Sequence, residues 1–159
     1  IITFTVRDYK FEPVRNTNYD FVKNLYEFFT SNGYRFIVIP DHYNPNPDIE
    51  IEIYSEATID IKKRIALYNL AKINIATNGG PAWITKYMPG VNMFITHLLK
   101  DGDHMGSYKQ LRKFYGNKYK WGKQPFLEFD TNLIYGPEEK NISKLLDNYR
   151  LKQIMRLNK

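Results

Sequence analysis

Two parts of the chain carry groups suited to holding an anion. One is Arg7, directly after the β-branched, apolar run Ile1-Ile2-Thr3-Phe4-Thr5-Val6. Its guanidinium is a planar fork of donors that matches two oxygens of a phosphate. The other is Asn78-Gly79-Gly80-Pro81-Ala82, which follows the short apolar run Ile73–Thr77 and opens a predicted helix. Pro81 fits the first helical position, where a missing N–H costs nothing. Gly79 and Gly80 have no Cβ, so a ligand can approach their backbone. The N–H groups of Ala82 and Trp83 stand at the positive end of the helix dipole. Each part also has a plain structural reading. Asn-Gly-Gly-Pro suits a tight turn before a helix, and Arg7 suits an ion pair with neighbouring Asp8.

The order of elements decides whether the two parts meet. Residues 1–6 read as a strand. Thr17 or Asn18 is a suitable N-cap for a helix running to Ser31, whose Phe21, Val22, Leu25, Phe28 and Phe29 share one face. Asn32-Gly33 closes that helix, with Gly33 suited to a left-handed position. Arg35–Ile39 is an unbroken apolar run, as expected of a strand covered on both faces, and Pro40-Asp41 stops it. Ile49, Ile51 and Ile53 alternate with Glu50 and Glu52, which fits a short edge strand or an extended connection. The pattern then predicts a helix over 58–72 with a stripe of Ile61, Ile65, Tyr68 and Lys72, widened by Leu67, Leu70 and Ala71. Further on it predicts strands over 73–77 and 91–95 and a short helix over 108–115 stopped by Gly116. An irregular stretch over 124–135 precedes a last helix over 138–157.

Strands alternating with helices imply an α/β fold: three layers, an open and mostly parallel sheet with helices on both faces. In such a sheet ligands bind beyond the carboxyl ends of the strands, where strand order reverses. With the first strand central, the Arg35–Ile39 strand on one side and the Ile73–Thr77 strand on the other, Arg7 and Asn78–Ala82 reach the same crevice.

Composition narrows the partners. The chain has 159 residues, enough for one core, and 43% of them are hydrophobic. It has no repeat, so residues 1–159 read as a single domain, and the opening Ile1 suggests a fragment whose partner domain lies upstream. No apolar run approaches the ~20 residues of a membrane span, and there is no secretory signal pattern. With no cysteine, disulfides and thiolate metal sites are excluded. A cytoplasmic location follows as the default, with room for peripheral contact at the inner membrane face. The net charge of +6 favours anionic partners. Segment 107–124 concentrates Lys109, Arg112, Lys113, Lys118, Lys120 and Lys123 among aromatics, without an acid. Such a stretch can track a nucleic-acid backbone, contact nucleotide phosphates or a lipid-linked acceptor, or be a solvated basic face. His42, His97 and His104 lack ligand spacing, and Asp101-Gly102-Asp103 reads as a turn, so no metal site is expected. Walker A, Gly-x-Ser-x-Gly and His-Glu-x-x-His patterns are absent.

Thr3-Phe4-Thr5-Val6-Arg7, Arg15-Asn16-Thr17-Asn18, Ile37-Val38-Ile39-Pro40-Asp41 and Tyr68-Asn69-Leu70-Ala71 with Asn74 and Asn78-Gly79-Gly80-Pro81-Ala82 together resemble bacterial glycosyltransferases of the GT-B type. More distantly they are similar to the donor-binding half of fucosyltransferase-like enzymes. The resemblance covers residues 1–96 and is carried by the set rather than by any one motif. It implies a Rossmann-like domain for a nucleoside-diphosphate sugar, the donor substrate, with no further cofactor. Arg7 and Asn78, Gly79, Gly80, Pro81 and Ala82 would hold the diphosphate. Asp41, Arg15, Asn16 and Tyr68 would reach the nucleoside or sugar. It further implies a glycan or lipid-linked acceptor and a second domain across the active site, without which the fragment is not expected to be active. The resemblance assigns no catalytic base. The alternative is a non-catalytic α/β domain that binds nucleic acid through residues 107–124.

Overall fold

A computed structural model describes residues 1–41, 50–96, 107–116, 132–135, 138 and 140–148. Five strands form one sheet: β1 (Ile2–Val6), β2 (Phe36–Pro40), β3 (Ile73–Thr77), β4 (Asn92–Thr96) and β5 (Asn132–Tyr135). Every pairing is parallel, and the order is β2-β1-β3-β4-β5. The chain moves from β1 outward to β2, then returns past β1 to β3. That reversal puts the two connections on opposite faces and opens a crevice between β1 and β3.

The strands are buried on both sides because alternate residues feed two separate cores. Ile2, Phe4, Val6, Phe36, Val38, Ile73, Ile75 and Phe94 pack under helix α1 (Tyr19–Ser31) and helix α5 (Ile142–Asn148). Ile37, Ile39, Ala76, Met93 and Ile95 face the other way, towards helix α2 (Glu56–Ile59), helix α3 (Ile61–Leu70) and a 3₁₀ segment, Gly80–Tyr87. Each fully buried Phe, Leu or Ile contributes about 1.5–3 kcal/mol, so these two layers carry most of the fold's stability. The result is an α/β, Rossmann-like three-layer sandwich.

Helix α1 forms as its pattern predicts. Asn18 Oδ1 accepts from Phe21 N at 3.4 Å, Phe21, Val22, Leu25 and Phe29 are buried, and Gly33 takes φ 79°. Helix α4 (Tyr108–Tyr115) begins at Ser107, whose Oγ accepts from Gln110 N at 3.2 Å, and ends at Gly116 with φ 56°.

Three expectations are corrected. The helix foreseen over 58–72 is two helices, because Asp60 is extended and caps α3 by accepting from Lys62 N at 2.9 Å and Lys63 N at 3.3 Å. Starting there turns the stripe: Ile61 and Leu70 are exposed, Lys72 lies outside the helix, and Arg64, Leu67 and Tyr68 are buried. Residues 132–135 are a strand, not irregular chain. The described part of the final helix starts at Ile142 rather than Glu138, with Asn141 Oδ1 accepting from Lys144 N at 3.0 Å. The remainder of that helix, residues 117–124 of the basic segment, all three histidines and the turn at 101–103 lie outside the described residues.

The alternating isoleucines make one parallel bridge, Ile53 to Val38, on the outer side of β2. Val38 N donates to Glu52 O at 2.8 Å and Tyr54 N to Val38 O at 2.9 Å. Counted as a rudimentary strand, this bridge gives the order 3-2-1-4-5-6 of dinucleotide-binding sheets. Between β1, β3 and β4 the interior includes a polar cluster around Asn74. Asn74 is fully buried; it accepts from Thr3 Oγ1 at 2.5 Å and donates to Tyr68 O at 3.0 Å and Asn92 O at 3.2 Å. Among the described residues, no helix is long and apolar enough to cross a membrane.

Candidate functional site

Beyond the carboxyl ends of β1, β2 and β3 lies a crevice of about 280 Å³ lined by Arg7, Asp8, Tyr9, Asp41, Gly80 and Pro81. That is slightly below the roughly 300–1,000 Å³ of pockets that enclose most of a drug-sized ligand, so it suits part of a larger ligand.

Its walls are tied strand to strand. Thr17 Oγ1 accepts from Arg7 N at 2.7 Å and lies 2.7 Å from Thr77 Oγ1, while Thr17 N donates to Arg7 O at 2.8 Å. The first residue of the β1–α1 loop is thus fixed to the last residue of β3. Asn78 N donates to Thr96 O at 3.1 Å, which fixes the glycine turn to β4. Asp41 N donates to Val6 O at 2.9 Å, which fixes the third wall.

The foreseen phosphate residues divide into two groups. Arg7, Gly80 and Pro81 face the crevice. Asn78 and Ala82 are buried beneath it. Gly79 is extended, at φ −152°, a conformation open to any residue. What glycine supplies there is room: a Cβ would stand 3.1 Å from Asp41 Oδ2, so the carboxylate would have to give way slightly. At Gly80 a Cβ would meet nothing within 4 Å. Pro81 sits in the first turn, as expected, but the helix it opens is 3₁₀.

Of the residues expected at a nucleoside or sugar, Asp41 lines the crevice and the other three do not. Tyr68 is fully buried in the core, its hydroxyl 2.6 Å from Thr5 Oγ1. Burial raises its phenol pKa against the opposing pull of Arg64. Arg15 donates to Glu12 Oε2 at 2.6 Å. Asn16 accepts from Tyr9 N at 3.0 Å and donates to Tyr9 O at 3.1 Å and Asp8 Oδ1 at 3.4 Å. Arg15 and Asn16 therefore hold the loop that carries Asp8 and Tyr9.

Sequence reasoning missed Asp8 and Tyr9 as lining residues, and it missed Arg64. The Arg64 side chain is 2% exposed. Its Nε donates to Ala57 O at 2.7 Å and its Nη2 to Pro40 O at 2.9 Å, while Nη1 lies 3.8 Å from Asp41 Oδ1. The signal was available: Arg64 sits three and four residues before Leu67 and Tyr68, on the buried face of α3.

The electrostatics are mixed. Arg7 is the cation of the crevice. Its Nη2 reaches Phe11 O at 3.5 Å, its Nε has no hydrogen-bond partner among the described residues, and its Cζ stands 5.4 Å from the centre of the Tyr9 ring. Asp8 and Asp41 are carboxylates, the latter backed by Arg64. Below the loop, burial and then the charge of Asp8 push the Tyr19 phenol up to about 12. The crevice can therefore both donate to anionic oxygens and accept from hydroxyls. Among the described residues, no group of three His, Cys, Asp or Glu side chains could hold a metal ion.

Comparison of the chain with protein-family models, with curated proteins and with solved structures finds no match.

Proposed function

We propose that this domain binds a nucleoside-diphosphate sugar and serves as the donor half of a glycosyltransferase of the GT-B type. One observation carries the reading: Arg7, Asp41 and the Gly80-Pro81 turn, far apart in sequence, line a single crevice at the switch point of a parallel sheet. A ligand with phosphate at one end and hydroxyls beside it uses both the cation and the carboxylates. In the reaction, an acceptor hydroxyl oxygen bonds the anomeric carbon as the bond to the diphosphate breaks. The diphosphate leaves with the electron pair, and Arg7 stabilises the charge that develops on it. The acceptor, a glycan or a lipid-linked sugar, and the group that takes its proton belong to a second domain facing the crevice.

The test is thermal unfolding and calorimetry of the chain with UDP, GDP and inorganic pyrophosphate. Saturation at 100 times Kd adds about 2.7 kcal/mol of stability. Arg7→Ala should remove most of that gain while leaving the unliganded melting temperature close to wild type. Absence of binding by every nucleoside diphosphate, with salt-sensitive binding of single-stranded RNA instead, would favour nucleic-acid recognition. Lys109, Arg112 and Lys113, exposed on α4, would then be its first contacts.

A further inference from the structure

The loop from β1 to α1 rises beside the crevice and presents aromatic surface to solvent. Tyr9 lines the crevice and is 37% exposed; Phe11 beyond it is 71% exposed. Their ring centres are 5.4 Å apart with the planes tilted by 48°. On the crevice side, the Arg7 guanidinium lies 5.4 Å from the Tyr9 ring. Cation, Tyr9 and Phe11 thus form one graded row, from the charged floor to an apolar rim.

The row is built rather than loose. Glu12, next to Phe11, is the one non-glycine residue with positive φ among those described, at φ 58° and ψ 57°. Such a conformation is strained for a residue with a Cβ and persists where its surroundings impose it. Here they do: Arg15 N donates to Glu12 O at 2.9 Å, and the Arg15 side chain pairs with the Glu12 carboxylate at 2.6 Å. Asn16 holds both backbone polar groups of Tyr9. A strained, braced loop that leaves a large apolar ring in water is costly unless the ring is used. Fixing it beforehand reduces the ordering penalty when something stacks on it.

We infer that Tyr9 and Phe11 form a stacking platform for a ring carried by the phosphate-bearing ligand, a nucleobase or the transferred sugar. This rests on the donor-binding reading above. The crevice, at about 280 Å³, takes only part of such a ligand, and the aromatic rim continues from it. Arg7 holds the phosphates while a ring attached to them covers Phe11. Arg15 and Asn16 act on that ring through the loop, as positioning residues.

The test is calorimetry of the whole chain, wild type against Phe11→Ala and Phe11→Trp, with pyrophosphate, UDP, GDP, UDP-glucose and GDP-mannose. Phe11 is exposed, so Phe11→Ala should leave the melting temperature near wild type. Loss of one stacked ring should weaken a ring-bearing ligand about 5- to 150-fold, and Phe11→Trp should restore it. Pyrophosphate binding should not change. A loss already seen with UDP or GDP assigns the platform to the base; a loss confined to the sugar nucleotides assigns it to the sugar. Equal binding of every probe by wild type and Phe11→Ala overturns the platform and leaves the donor site standing. So does a uniform weakening that includes pyrophosphate, because the loop would then merely support Arg7. Failure of the wild type to bind any of the five probes overturns the donor reading itself, and the platform with it.

Discussion

Arg64 is the buried cation on which the crevice floor depends, and replacing it by methionine should be among the costliest single changes in the chain. Methionine keeps the apolar stem but removes the Arg64 donors to Pro40 O and Ala57 O, at 2.9 and 2.7 Å in the wild type, and leaves Pro40 O with Thr58 Oγ1 alone. Hydrogen bonds to a charged donor contribute about 1.5–3 kcal/mol each. The change also strips Asp41, a side chain 12% exposed, of the cation 3.8 Å away. At an effective dielectric of 20 that attraction is about 4 kcal/mol before desolvation is subtracted. Measured losses on breaking buried pairs are about 3–5 kcal/mol, and we expect Arg64→Met to fall there. With a urea slope of about 1–3 kcal/mol/M, the unfolding midpoint should drop by ~2 M. Asp41→Asn should cost less, because Arg64 keeps both carbonyls. The double variant should then be more stable than the two single losses predict, by about 0.5–3 kcal/mol. A loss below about 1 kcal/mol for Arg64→Met, or strict additivity in the double variant, would refute the placement of Arg64 beneath Asp41.

Two further outcomes follow from buried polar groups. Tyr19 holds its proton to about pH 12 in the folded protein, against about 10 when unfolded. Unfolding therefore releases that proton between these values, so stability is intact below pH 10 and falls as pH rises through the window. Tyr68, whose pKa is also raised, adds in the same direction. The urea midpoint followed from pH 8 to 11.5 should show this fall, and Tyr19→Phe should flatten part of it; parallel curves would count against the assignment. Asn74→Leu should cost about 2–4 kcal/mol, since Thr3, Tyr68 and Asn92 all lose their shared partner. Denaturant titration should show a lower midpoint at unchanged slope.

The first four strands of the sheet were legible because they are short runs of apolar and β-branched residues, and the return from β2 past β1 fixes where a crevice opens. That the crevice joins the end of β1 to the turn after β3 followed from the same reasoning. Its acidic and aromatic lining did not. Asp8 and Tyr9 belong to a loop whose shape depends on Asn16 and on a left-handed Glu12, and neither has a periodic signature. Arg64 was hidden by the habit of placing arginine in water: Ile61, Ile65 and Tyr68 made an acceptable stripe, and Asp60 capping α3 was needed to turn it. Residues 132–135 escaped because four residues beside β4 become a strand through their neighbour more than through their own pattern.

The bridge outside β2 bears on how the protein behaves in company. An outermost strand normally shows a row of unpaired N–H and C=O groups to which another chain can add. Here Val38 gives its outward groups to residues 52 and 54. Two residues on, Pro40 has no N–H to offer, and its carbonyl accepts from Arg64 Nη2 and from Thr58 Oγ1 at 3.0 Å. Arg35, just before the strand, clamps Glu52 across the gap with Nε at 2.8 Å from its carboxylate. A stretch too short to count as a strand thus covers the outward backbone groups of Val38, in the middle of this border, which leaves them unable to pair with the edge of a second molecule.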